Sequence, residues 1–123
     1  MNQYILAIDQ GTTGTKVLLM DTKLNLVAEK STPFEQHFPQ PGWVEHDLDQ
    51  IWTSVEAGIE AIVAKVDPKQ IAAIGITNQR ETVCFWERST GAALARAIVW
   101  QDRRTADRCK ELKNAGLEDK IQK

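Results

Sequence analysis

The stretch YILAIDQGTTGTKVLLM, residues 4–20, decides how the chain begins to fold. Tyr4 to Ile8 is a compact apolar run rich in β-formers, ending at Asp9 with Gly11 close behind. Val17 to Met20 is a second run, closed by a polar turn around Asp21, Thr22, Lys23 and Asn25. Leu26 to Lys30 then alternates apolar and polar positions, as a half-buried third strand would. Three short strands with tight connections predict an antiparallel meander.

The pattern changes beyond the meander. Pro33, Pro39, Pro41 and Gly42 make residues 33–44 irregular. Asp47 is placed to cap a helix, with Gln50 three positions on to complete a capping box. Behind it Leu48, Ile51, Trp52, Val55, Ile59, Ile62, Val63 and Val66 recur in steps of three and four, one apolar face of a long helix that Pro68 ends. Ile71 to Thr77 reads as a buried strand, and a strand reached through a helix tends to run parallel to its neighbour. Thr82 to Glu87 and Ala97 to Trp100 are further strand candidates, separated by a turn at Ser89-Thr90-Gly91. A second helix is predicted from Asp102 to Asn114, with Gly116 as a left-handed cap and Leu117 supplying its hydrophobic contact. Glu118 to Lys123 begins another element. The fold class is α/β: a three-strand meander plus a parallel strand, with packed helices, in one small domain of 123 residues.

Composition narrows the function classes. Net charge is only −2 with both signs mixed, so nothing asks for nucleic acid or anionic lipid. No apolar run approaches a membrane span, and Met1-Asn2-Gln3-Tyr4 lacks the features of a secretory signal. Cys84 and Cys109 are too few and too distant for a secreted disulfide framework, and predict reduced, structural thiols in a cytoplasmic protein. His37 and His46 have no Cys or His neighbours at metal-ligand spacing, which argues against zinc.

Chemistry concentrates in three places. Asp9-Gln10-Gly11-Thr12-Thr13-Gly14-Thr15-Lys16 lies in the turn between the first two strands. Its glycines permit a tight turn whose N–H groups can converge on a phosphate. Thr12, Thr13 and Thr15 add hydroxyl donors, Lys16 adds a positive charge, and Asp9 is where magnesium and its waters would be held. The spacing is not that of a Walker A loop. Gly11-Thr12-Thr13-Gly14 matches the short clamp of RNA-binding KH domains, but that clamp joins helices and this one joins strands. A plain hairpin turn is equally compatible with these residues. The second place is Thr77-Asn78-Gln79-Arg80-Glu81-Thr82, at the carboxyl end of the parallel-type strand, where open α/β sheets bind ligands. Arg80 only donates hydrogen bonds and an ionised Glu81 only accepts them, so the pair can serve both needs of a vicinal diol. A salt bridge or solvated loop is the plainer alternative. In the third place, Trp100 can wall a pocket or fill the core, while Arg103 and Arg104 read as solvated at a helix start. Pro41 to Asp47 reads as loop plus helix cap.

Together, four blocks resemble the FGGY family of carbohydrate kinases, and within it the glycerol kinase branch: Asp9 to Thr13, Pro41 to Asp47, Ile74 to Thr82, and Ala97 to Gln101. The resemblance covers almost the whole chain in order. It implies an actin- and hexokinase-like, ribonuclease-H-type fold in which ATP lies between two such domains, residues 1–123 being the amino-terminal part of the first. By similarity Asp9 would sit near Mg2+, Thr12, Thr13, Gly14 and Lys16 would approach the phosphates of ATP or ADP, and Arg80, Glu81 and Trp100 would hold glycerol. The family's general base is an Asp far downstream, so no residue here is assigned that role and the chain alone is expected to be inactive. Gly14 stands where a hydroxyl residue is usual, Lys16 where Arg is usual, and Leu48 where Pro is common. A kinase for another polyol or sugar, and a non-catalytic binding module, are the alternatives. Ending at Lys123 is expected to leave a strand edge and an apolar patch uncovered, and hence to favour self-association.

Overall fold

In the computed structural model, which describes residues 3–122, period-two burial sets the sheet. Leu6 and Ile8 of β1 (Tyr4–Gln10) and Thr15, Val17 and Leu19 of β2 (Gly14–Asp21) point to one buried face. β3 (Leu26–Pro33) completes the expected antiparallel meander, with Asp9 opposite Lys16 and Lys16 opposite Ser31. It is mostly exposed along its length, because it is an edge strand. After the irregular segment come β4 (Glu45–His46), α1 (Leu48–Val63), a 3-10 turn at Pro68–Gln70, and β5 (Ile71–Asn78). β5 runs parallel to β1, giving the order β3-β2-β1-β5.

The helix differs from its sequence pattern in an informative way. Asp47 caps it, its carboxylate accepting from the N–H groups of Asp49 and Gln50. The capping box is not closed, because the Gln50 side chain instead accepts from the N–H of Glu35. The face pressed on the sheet is centred on Ser54, Gly58 and Ile62, and Trp52 is 60% exposed. Small residues sit at the centre because the approach is close: a Cβ on Gly58 would lie 2.5 Å from Val17 Cγ2. Leu6, Ile8, Val17, Leu19 and Ile62 form the core, ringed by Tyr4, Ala28, Val55, Ile59, Val66 and Ile71.

Two expectations about strands are corrected. β5 is paired as expected but not buried: Ile74 and Ile76 are 61% and 73% exposed. They share the face of Leu6 and Ile8, yet α1 lies over β2 and β3 and does not reach them. Thr82 to Glu87 is not a strand. It makes isolated bridges, Val83 to Ile98 and Trp86 to Ala93, around the Ser89–Gly91 turn. Ala97 and Ile98 do form β6, which pairs with β4 in a separate two-stranded sheet, and Trp100 lies in the turn beyond.

α2 spans Ala106–Asn114, starting later than expected because Asp102 is engaged elsewhere. Its end is as read: Gly116 has φ +72°, with Gly116 N–H donating to Lys113 O and Leu117 N–H to Leu112 O, the paired bonds of a Schellman cap. α3 (Glu118–Ile121) follows; Lys123, assigned to that element from sequence, lies outside the described residues.

Candidate functional site

The β1–β2 connection is three residues, Gly11 to Thr13, closed by the Gly11 N–H donating to the carbonyl of Gly14, the first residue of β2, at 2.9 Å. It stands at the carboxyl end of β1, beside the carboxyl end of the parallel strand β5, whose ladder continues when Gln79 N–H donates to Gln10 O. Gly14 is required by packing, since a Cβ there would lie 2.7 Å from the Thr32 carbonyl oxygen of β3. Thr15 is not free to donate outward. Strand alternation turns it inward, where its buried hydroxyl meets Ser54 Oγ at 2.7 Å, and Ser54 in turn donates to Ile51 O.

A cavity opens on each side of this loop. One, of about 300 Å³, is lined by Asp9, Gly11, Thr13, Gly14 and Lys16, with Ser31 to Pro33 of β3 behind them. The β1–β2 register puts Asp9 directly across from Lys16, and the parallel register puts Thr77 beside Asp9 on the same face. The other, of about 390 Å³, is lined by Thr12, Asn78, Gln79, Arg80, Glu81 and Trp100. Arg80, Glu81 and Trp100 therefore come together, and Asp9, Thr13, Gly14 and Lys16 come together. Thr12 lies with the first of these groups. Its hydroxyl accepts the Trp100 indole N–H at 3.0 Å, tying one cavity's wall to the loop shared by both.

Among the described residues no cluster of three or more His, Cys, Asp or Glu could hold a metal by itself. Asp9 is the one carboxylate lining its cavity. A lone carboxylate beside an open, hydroxyl-bearing loop suits Mg2+, which is usually held by one or two carboxylates, substrate phosphates and water.

Trp100 is delivered by a scaffold that the sequence read only as loop, cap and solvated arginines. Pro41-Gly42 turns the chain, with Gly42 at φ +80° and Trp43 N–H donating to Gln40 O. Arg104 is not solvated. It forks onto both oxygens of Asp102, reaches Glu45 Oε1 at 2.9 Å, and stacks 3.7 Å from the Trp43 ring centroid. Asp102 also accepts from the Val44 N–H, and Val99 N–H donates to Val44 O, so residues 97–104 are pinned to residues 42–46. The Arg104 hydrogen bonds hold the Asp102 carboxyl well below its usual range, at about 2.

Four residues around the loop have a part that the sequence does not assign them: Gln36, which lies outside every quoted motif, and Gln10, His46 and Gln79, which stand in those motifs without a role. His46 is fully buried, with Gln36 Oε1 2.6 Å from Nε2 and Gln79 Nε2 3.3 Å from Nδ1. Gln36 and Gln79 reach on to Thr12 O and Gly11 O. The available signal was a histidine beside a helix cap and glutamines at two strand ends and in the irregular segment, since an amide that both donates and accepts is suited to bridging.

The sequence profile of the FGGY family of carbohydrate kinases, N-terminal domain, matches residues 4–123. A glycerol kinase of Myxococcus xanthus is 55% identical over 97% of the chain, and one of Salmonella arizonae 54% over the same share. The chain spans about a quarter (24%) of the length of these relatives. Among solved structures, a Plasmodium falciparum glycerol kinase with ADP aligns with TM-score 0.83 and 40% identity, over 90% of this chain and 23% of that one. A Lactobacillus acidophilus gluconate kinase aligns with TM-score 0.90 and 28% identity, over 98% and 24%.

Proposed function

Since this chain belongs to the FGGY family of carbohydrate kinases, with their actin- and hexokinase-like fold, we propose that it supplies the phosphate loop and acceptor site of an ATP-dependent glycerol kinase. The observation that carries this reading is the pair of cavities flanking one loop, the first with a carboxylate and a lysine, the second with Arg80, Glu81 and Trp100.

The chemistry divides between the two sides. Arg80 donates to glycerol oxygens, Glu81 accepts from its hydroxyls, and the Trp100 ring covers the carbon chain. On the other side Lys16, Thr13 and the Gly14 backbone meet the nucleotide phosphates, with Thr12 between. Asp9 would hold Mg2+ through its waters, and the ion, when bound, offsets phosphate charge. In transfer a glycerol oxygen bonds the γ-phosphorus as the bond to the β-phosphate oxygen breaks and ADP leaves. The hydroxyl proton passes to a base supplied by another part of the protein. Such catalysis is mostly positioning, so the alignment of the two cavities matters more than any single group. Free thiols at Cys84 and Cys109 support a cytoplasmic location.

A sugar acceptor is the second reading, favoured by the higher TM-score of the gluconate kinase. The identity of 54–55% to glycerol kinases weighs against it. Assaying the full-length protein on glycerol, xylulose and gluconate decides. We expect glycerol preference, and expect Glu81→Ala to raise the glycerol KM roughly tenfold or more with the ATP KM unchanged. Sugar preference, or an unchanged glycerol KM in the variant, would overturn the assignment. No turnover on any of these would favour a binding module.

A further inference from the structure

We propose that His46, as the neutral imidazole carrying its proton on Nε2, is the positioning residue that aims the backbone N–H groups of Thr12 and Thr13, acting through Gln36 and Gln79. The donor and acceptor pattern determines the tautomer. Gln36 Nε2 faces two carbonyl oxygens, Thr12 at 3.0 Å and Phe34 at 3.4 Å, so its Oε1 must face His46, and His46 Nε2 must donate. Gln79 Oε1 accepts from Thr82, so its Nε2 points to His46 Nδ1, which accepts. The same Nε2 lies 3.4 Å from Gly11 O and 3.3 Å from Gln10 Oε1, while Gln10 Nε2 donates to Gly11 O. The Phe34 ring closes against the imidazole edge-on, with centroids 4.9 Å apart.

The consequence follows from peptide planarity. A carbonyl and the N–H of the next residue lie in one plane and point in opposite directions. Gly11 O is held by Gln10 Nε2 at 2.8 Å and from the Gln79 side at 3.4 Å, and that joint hold aims the Thr12 N–H. Holding Thr12 O from the Gln36 side aims the Thr13 N–H. One buried ring thus supports both peptide planes of a loop that borders both cavities, and a donor set of this kind works only if its direction is set before the ligand arrives.

The kinetic consequence rests on the phosphoryl-transfer reading, but the geometric test does not. Backbone NMR relaxation on the full-length protein is the first measurement, because the Thr12 and Thr13 N–H groups have no acceptor among the described residues and their exchange is unprotected whatever holds the carbonyls behind them. His46→Phe should lower the order parameters of both N–H vectors from the rigid range, about 0.85, toward the flexible range, about 0.6. Gln36→Met should lower Thr13 alone, and it tests the link even if His46→Phe fails to fold. His46→Gln, which restores a donor near Nε2, should return Thr13 to its original value while Thr12 stays low. The double variant His46→Phe/Gln36→Met should be no lower at Thr13 than His46→Phe. In kinetics, kcat should fall with the glycerol KM moved less than threefold, a margin of about half a decade. Unchanged order parameters at Thr12 and Thr13, or a fall spread equally over α1 and β1–β3, would overturn the proposal. If the wild-type protein does not phosphorylate glycerol, the functional reading falls and the relaxation pattern still decides the role of His46.

Discussion

Glu81 has φ +65°, a left-handed backbone that costs a residue other than glycine about 1–3 kcal/mol. It is exposed and makes no described contact that would repay that cost, so the strain belongs with the cavity it lines. Glu81→Gly should therefore leave the melting temperature unchanged or raised while the glycerol KM rises as in Glu81→Ala. A loss of several degrees would mean that the side chain supports the fold. The titrating residues separate cleanly in pH. His46 is shifted down, by burial first and by His37 second, so it stays neutral in the fold where the unfolded chain takes up a proton near pH 6.5. Stability should fall as pH drops through that value. Asp102, its side chain 3% exposed, stays ionised down to about 2, against 3.8 when free. Its share is present above 3.8 and lost between 3.8 and about 2. Denaturant midpoints followed against pH should show both steps, with Asp102→Asn removing only the lower and His46→Gln only the upper.

At the scale of elements, α1 shows packing overruling propensity. Gly58→Ala would favour a free helix by about 1 kcal/mol. Against Val17 at 2.5 Å, overpacking costs about 1–3 kcal/mol, so the variant should be net destabilised. A denaturant midpoint above wild type would contradict this, and Val17→Ala in the same chain should recover part of the loss. The same helix shows what a sequence does and does not disclose. Asp47 and Gly116 were readable because caps and left-handed turns are local. Ser54 and Gly58 were not, because a small-residue contact line looks like a gap in an apolar stripe. Trp52 was drawn onto that stripe by hydrophobicity alone. The Arg80, Glu81 and Trp100 grouping could be anticipated from the end of a parallel strand and a family resemblance. The His46 bridges could not, since their partners are 10 and 33 residues away and no spacing marks them. Thr82 to Glu87 has a strand's composition but is left as isolated bridges, because its partners at Ala93 and Ile98 are each met only once.

At the scale of the whole molecule, the sheet is uneven. α1 covers β2 and β3, while β5 shows Ile74 and Ile76 and, among the described residues, pairs only with β1. An unpaired edge with apolar side chains is a template for another copy. The 123-residue chain is expected to associate with itself in sedimentation as concentration rises, and Ile76→Lys to suppress it. A monomer at every concentration would show that the edge is protected.

The position of the core along the chain has a bearing on biosynthesis. Leu6, Ile8, Val17, Leu19 and Ile62 all come from the first 62 residues, within the meander and one helix. Arg80, Glu81 and Trp100 come from the second half, the first two attached by the long-range pairing of β5 to a strand already in place and Trp100 by the pairing of β6 to β4. Local pairings form fastest, and domains tend to assemble from the amino terminus as the ribosome extends them. The platform can thus mature before the acceptor residues leave the exit tunnel, so changes of substrate preference can accumulate in the late-emerging segment without touching the core beneath it.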